Sequence, residues 1–375
     1  GAKKFGKQAS ISYSSCNRQR LYAHSLRLIT LSLMMTGEFQ RARSVMTNLM
    51  LTLSSTTSVR VQLLMLIDQL YVNHAAGEWH SPKKLKSVIR QCHQLAHAVE
   101  VYRHGSLTSE EISYVYGVLC YVALHGCNDE EWSMQFGQTA MQHTVELRGG
   151  ASHETNVRSS SSSSCPTPLS SALLFALIGS GLLFDAFVYS YDKSVKLYDE
   201  KLAKKSREWC LEVMRMQKHL AQTIPIANAY LCYSKVRSFR AVDRMKRSSN
   251  RDHQIEEARK IAQKYGMKVI ECSIDFEETL LRWISEEEDT AKRLTIKESV
   301  KREAEMSSSS LKYSSKSETR HDLDVIITRF KHMGDKASAK RAKKLLQRMM
   351  GYSTEDEVGN VHNVVQFGDD DSWKV

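Results

Sequence analysis

Gly37-Glu38-Phe39-Gln40-Arg41-Ala42 stands between two apolar stripes and joins them. Upstream, Leu21, Leu28, Ile29, Leu31, Leu33 and Met34 recur at near-helical spacing. Downstream, Phe39, Ala42, Val45, Met46 and Leu49 do the same. Gly37 stops the first helix and the second starts almost at once. So short a connection forces the two helices antiparallel, with their apolar faces meeting.

The same pattern runs outward. Residues 59–74 carry one broad apolar face, followed by Gly77-Glu78-Trp79 and by Pro82, which suits the first turn of a new helix. Residues 83–103 turn Leu85, Val88, Ile89, Cys92, Leu95, Ala96 and Val99 inward. Thr108 with Glu110 and Glu111 opens a helix over 112–124, and Asn128-Asp129-Glu130-Glu131 opens another reaching Leu147. Gly149-Gly150 and the run Ser159 to Ser164 then form a polar break, too poor in apolar surface to offset its ordering entropy. Helical patterns resume at Pro168 and Leu169, with a pair over 174–191 and 196–216 and a further helix over 226–239. Ala258 and Ala262 lead to Tyr265-Gly266-Met267 and a helix through Trp283. The closing pair, 322–333 and 337–350, is joined at Gly334.

Gly37, the acidic Glu38, the aromatic Phe39 and the small Ala42 together resemble the turn of a tetratricopeptide repeat. Leu26, Ile29 and Leu33 occupy the matching positions of the first helix. Thr30 stands where that family prefers a small residue, Ser54 where it prefers proline, and Pro82 where the second unit would carry alanine. The resemblance implies that Gly37 allows the tight turn and that Ala42 lets the helices approach. Further on, Ala258, Ala262, Tyr265, Gly266 and Met267, then Phe330, Met333 and Gly334, then Ala342, Leu345 and Leu346, are similar to the C-terminal tetratricopeptide region of soluble adenylyl cyclases and multidomain signal-transduction ATPases. That likeness implies a regulatory part of a larger signalling protein.

Composition agrees with helices. Only 4 prolines and 17 glycines occur in 375 residues, and good helix formers fill the periodic stretches. The net charge of +11 points to acidic partners, a membrane surface or nucleic acid. The eight cysteines are scattered with no Cys-x-x-Cys pair, which suits a reducing, cytoplasmic setting. The chain begins Gly1-Ala2-Lys3-Lys4 and is read as a piece of a longer protein. Its longest apolar run, 172–184, is interrupted by Gly179, Ser180 and Gly181 and ended by Asp185. A membrane span needs roughly 20 apolar residues, so this run is read as a buried helix.

Signatures for chemistry are sparse. No phosphate-binding loop, kinase signature or nucleophile elbow is present, and Gly179-Ser180-Gly181 lacks the lysine a phosphate cradle needs. His93 and His97 stand four apart on one helix and are candidate metal ligands, but Gln94 occupies the place of the glutamate that would activate a metal-bound water. No cofactor is expected. Lys336, Lys340, Arg341, Lys343, Lys344 and Arg348 make the closing helix basic and amphipathic, fit for calmodulin, an acidic membrane surface or an acidic groove, or else a solvated capping face. Other basic stretches lack interleaved aromatics for base stacking. The Ser runs are candidate phosphorylation sites or solubilising loops. The ending Trp373-Lys374-Val375 could add as a strand to a PDZ groove.

The expectation is an all-α chain: an α-solenoid of antiparallel tetratricopeptide-like hairpins with Ser-rich loop insertions. Its parts are a disordered segment 1–15, a helical array 16–148, a Ser-rich linker or loop 149–167, a second array 168–284, a charged Ser-rich insertion 285–317, a closing pair 318–350 and a disordered acidic tail 351–375. The turn residues are Gly37, Phe39, Ala42, Ala258, Ala262, Gly266 and Gly334. The expected function is non-catalytic protein–protein interaction, with a protein partner or an upstream domain of the same polypeptide. A basic nucleic-acid-binding helical protein is the alternative.

Overall fold

The computed structural model describes residues 19–52, 59–78, 81–101, 107–150, 169–241, 249–300 and 314–350. Both expected disordered ends, 1–15 and 351–375, and the runs Ser159–Ser164 and Ser307–Ser310 lie outside these residues. Among the described residues the protein is all-α, with thirteen helices and no strand. They are α1 Gln19–Met35, α2 Phe39–Thr52, α3 Val59–Ala75, α4 Pro82–Val101, α5 Ser109–Cys127, α6 Glu130–Gly150, α7 Leu169–Lys196, α8 Glu200–Thr223, α9 Ala227–Ala241, α10 Ser249–Lys264, α11 Lys268–Val300, α12 Ser314–Met333 and α13 Lys336–Met349.

One turn geometry recurs at six helix junctions. At Gly37, Gly77, Asn128, Tyr198, Gly266 and Gly334 a single residue adopts positive φ. The next residue's N–H then donates to a carbonyl five residues back, as Glu38 does to Leu33, Asp199 to Ser194 and Asp335 to Phe330, or six back in the case of Asp129 and Ala123. This satisfies carbonyls that a helix end leaves unpaired. At three of the turns the residue after it is an aspartate that caps the following helix: Asp129 accepts from the Trp132 N–H, Asp199 from Leu202 and Asp335 from Ser338.

Sequence places one of these turns wrongly. The break expected between 191 and 196 is absent; α7 runs on to Lys196 and the turn falls at Leu197–Asp199, with Tyr198 at φ 56°. Asp185, where the longest apolar run ends, lies within the helix, faces inward and is paired. α11 likewise continues to Val300, into the stretch 285–317. In that stretch Glu288 precedes Lys292, and Asp289 precedes Arg293, by the four residues that favour helix.

The odd-numbered helices α1, α3, α5, α7, α9 and α11 each pack against the next, and α11 also touches α1, so the six close a ring. Their contacts climb together, from Tyr114–Phe175 through Gly117–Gly179 to His125–Tyr189 between α5 and α7, so neighbours run parallel. The even-numbered helices pack outside: α2 lies against α1 and α3, α4 against α3 and α5, α8 against α7 and α9, and α10 against α9 and α11. The last odd helix, α13, comes round onto α3.

Three consecutive residues show why α7 is central. A Cβ on Gly179 would lie 2.8 Å from the Ser113 carbonyl oxygen of α5, and one on Gly181 would lie 2.8 Å from the Tyr230 ring of α9. Between them Ser180 accepts from Gln217 Nε2 of α8 at 3.3 Å. The Gly-Ser-Gly triplet is therefore a three-way helix contact. One buried core runs from Leu31 through Val122 to Phe187 and Val213, joining helices on both sides of the serine run. Leu173–Ser194 is long and apolar enough to cross a membrane by length and composition, yet most of it is buried in this fold.

Candidate functional site

The expected turn residues sit at two ends of the molecule that meet. Phe39 and Ala42 are buried at the start of α2. A Cβ on Gly37 would lie 2.6 Å from Met333 Sδ, and the Gly334 position faces Phe39 and Gln40. The first and last hairpin turns thus interlock. Ala258 and Ala262 are fully buried where α10 meets α9 and α11, while Gly266 at the next turn has open space around it.

The closing helix divides its basic residues between two roles. Lys336, Lys340, Lys343 and Lys344 are exposed. Arg341 instead turns inward, its Nη1 donating to Asp185 Oδ2 at 3.1 Å and its Nη2 to Ser338 Oγ. The Arg348 side chain lies outside the described residues. Ala339, Ala342 and Leu345 are buried, the first and last against α11 and α12. Calmodulin or a membrane taking this apolar side would first have to strip the helix from its neighbours.

His93 stands edge-on to Phe136 at 5.2 Å and to Tyr116 at 6.2 Å. His97 is exposed on the same helix. No group of three or more metal-ligating side chains gathers among the described residues. Burial pushes the Cys127 thiol up to about 11, and those of Cys92, Cys120, Cys210 and Cys272 up to about 12. At neutral pH these thiols are protonated and poor nucleophiles.

The chemistry missed by the sequence reading lies inside the ring, in layers. In the first, Arg27 of α1 is buried against Asp68 of α3, donating through Nε and, at 3.3 Å, through Nη2. Tyr114 of α5 donates to the same carboxylate at 2.7 Å, and Phe175 of α7 covers the guanidinium at 4.3 Å. Next comes an apolar gap of about 40 Å³ lined by Leu31, Met35, Tyr71, Ile178, Tyr230 and Ile270 among others. That is far below the ~300 Å³ at which small-molecule pockets begin.

The third layer draws one residue from each of five helices. Arg237 of α9 donates to Asp185 of α7 and, at 3.0 Å, to Glu277 of α11. Arg341 of α13 takes the other Asp185 oxygen, and His125 Nε2 of α5 lies 2.8 Å from that oxygen. Tyr121 stacks against His125 at 4.7 Å and stands 5.9 Å from the Arg341 guanidinium. Burial opposes ionisation of Asp185, but Arg237 and Arg341 together hold it well below the usual carboxylate range. Burial holds His125 below the ordinary histidine value, and drives His74, beside Tyr121, down to about 3. Two carboxylates, two guanidiniums and a neutral imidazole balance one another, so the layer is an anchor that ties α13 to the ring.

The signal for these residues was present in sequence as lone charges inside apolar runs: Asp68 within Leu63–Val72, and Asp185 between Phe184 and Ala186. Such charges are almost never fully buried unless paired. No family model, curated protein or solved structure matches this chain.

Proposed function

We propose that this chain is a non-catalytic recognition scaffold, an α-solenoid of tetratricopeptide-like hairpins wound tightly enough that its last helix meets its first pairs. The observation that carries the functional reading is the exposed face of α13: Lys336, Lys340, Lys343 and Lys344 are all exposed, while Arg341 turns inward and pins the helix. The helix Lys336–Met349 contains no acidic residue. By contrast, arginines on other helices are neutralised within the fold, Arg259 by Asp275 and Glu278, Arg282 by Asp322 and Arg329 by Asp275. A row of lysines with no ion pair among the described residues suits an acidic protein surface, where charge complementarity speeds encounter and sets specificity.

The partner is a separate protein or an upstream domain of the same polypeptide, and the setting is the cytoplasm, in keeping with the likeness to the C-terminal parts of soluble adenylyl cyclases and signal-transduction ATPases. Affinity capture from cytosolic lysate with the full chain, beside a variant carrying Lys→Glu at 336, 340, 343 and 344, tests this. Nuclease-insensitive capture of the same few proteins, lost in the variant, supports the reading. Equal capture by both chains sinks it. The same stripe favours a second reading as a nucleic-acid-binding helical protein, which predicts loss on nuclease treatment and a steep salt dependence.

A further inference from the structure

The place where Arg341 sits has the chemistry of a binding site. A buried carboxylate, Asp185, faces the guanidinium; the Tyr121 ring stands 5.9 Å from it, and His125 lies against the same carboxylate oxygen. Carboxylate and aromatic wall together suit a planar guanidinium better than an ammonium, because the guanidinium can donate to oxygen and stack on a ring at once.

Two observations bear on whether the occupant can change. The Arg341 side chain is 39% exposed, whereas the Asp185 and His125 side chains are each only 11% exposed. The apolar residues of α13 pack on α11 and α12, in small clusters separate from the main core. On the ring helices other than α11, its contacts include the Lys336 stem over Gly77 and Arg341 on Asp185. No residue of α13 belongs to the main core, and Asp185 has Arg237 as a second partner.

We infer that Asp185, Tyr121 and His125 form a guanidinium-binding site that the chain fills with its own Arg341, and that an arginine of a basic partner segment takes the site in its place. This rests on the scaffold reading above and adds a second surface to it, distinct from the lysine stripe. An occupied site blocks such a partner; loosening α13, for instance by an acidic protein pulling on its lysines, opens it.

The test is chemical rescue in the full chain. In Arg341→Ala, N-acetyl-arginine amide should raise Tm by about 2 °C at a tenfold excess over its Kd, while N-acetyl-lysine amide does not. Wild type should respond to neither, and Asp185→Asn combined with Arg341→Ala should not respond to the arginine amide. A peptide copying residues 336–346 should bind Arg341→Ala at least tenfold more tightly than the same peptide with lysine at its arginine position. Equal effects of the two amides, no effect of the arginine amide, or rescue that survives Asp185→Asn would each overturn the inference. Should Arg341→Ala lose its helical circular dichroism, Arg341→Gln serves as host for the same comparisons. Failure here leaves the lysate result standing, since that depends on Lys336 to Lys344 and not on Asp185.

Discussion

Asp68 illustrates how a single charge is tolerated among apolar side chains. It is fully buried, yet Arg27 and Tyr114 fill its acceptor positions. Taking away one partner of such a pair is far worse than replacing both, because the remaining charge is left without compensation. Arg27→Met should cost about 3–5 kcal/mol in urea unfolding, and Arg27→Met with Asp68→Leu considerably less; equal losses would show that the pair is not coupled. His74 gives a pH prediction. Its folded form stays neutral down to about 3, whereas in the unfolded chain it takes a proton near pH 6.5. The unfolded state therefore gains protons first on acidification, and stability falls as pH drops below that value, by up to about 1.4 kcal/mol per pH unit. His125, lowered in the same direction, adds to the slope. His74→Phe should flatten part of the dependence between pH 7 and 5; an unaltered slope in urea midpoints would contradict the burial argument.

At the scale of elements, one turn recurs with three kinds of residue at its left-handed position. Glycine adopts positive φ without a Cβ clash, and asparagine tolerates it. Gly37 carries a second requirement, since Met333 occupies the space a Cβ would need, whereas Gly266 faces open space. Gly37→Ala should thus destabilise clearly more than Gly266→Ala, which bears only the conformational cost of about 1–2 kcal/mol. Similar thermal shifts for the two would mean that the first and last turns do not interlock as described. Tyr198 is the exception, a bulky residue at φ 56° whose side chain is 68% exposed. Tyr198→Gly should raise stability by about 1 kcal/mol, read as a higher urea midpoint. This residue also explains the misplaced turn. With no glycine or asparagine there, no residue suited to positive φ marks the break.

At the scale of the whole molecule, α5 and α7 lie on opposite sides of the serine run but share one core, drawn together where Gly117 meets Gly179. A protease site introduced between Arg158 and Ser159, then cut, should leave the two fragments co-eluting in gel filtration and unfolding in one transition. Separation of the fragments would show that each half holds its own core. Sequence alone determined the helices, most of their boundaries and the glycine turns, because helical periodicity, capping and positive φ are local properties, satisfied or violated within a few residues. The division of the closing helix was not local. Lys340 and Arg341 are neighbours with similar chemistry, and only the arrival of Asp185, 156 residues earlier in the chain, sends one inward and leaves the other in solvent. The buried charges were visible as oddities within apolar runs, but their partners were not, because the match between a carboxylate on α7 and guanidiniums on α9 and α13 exists only once the ring has closed.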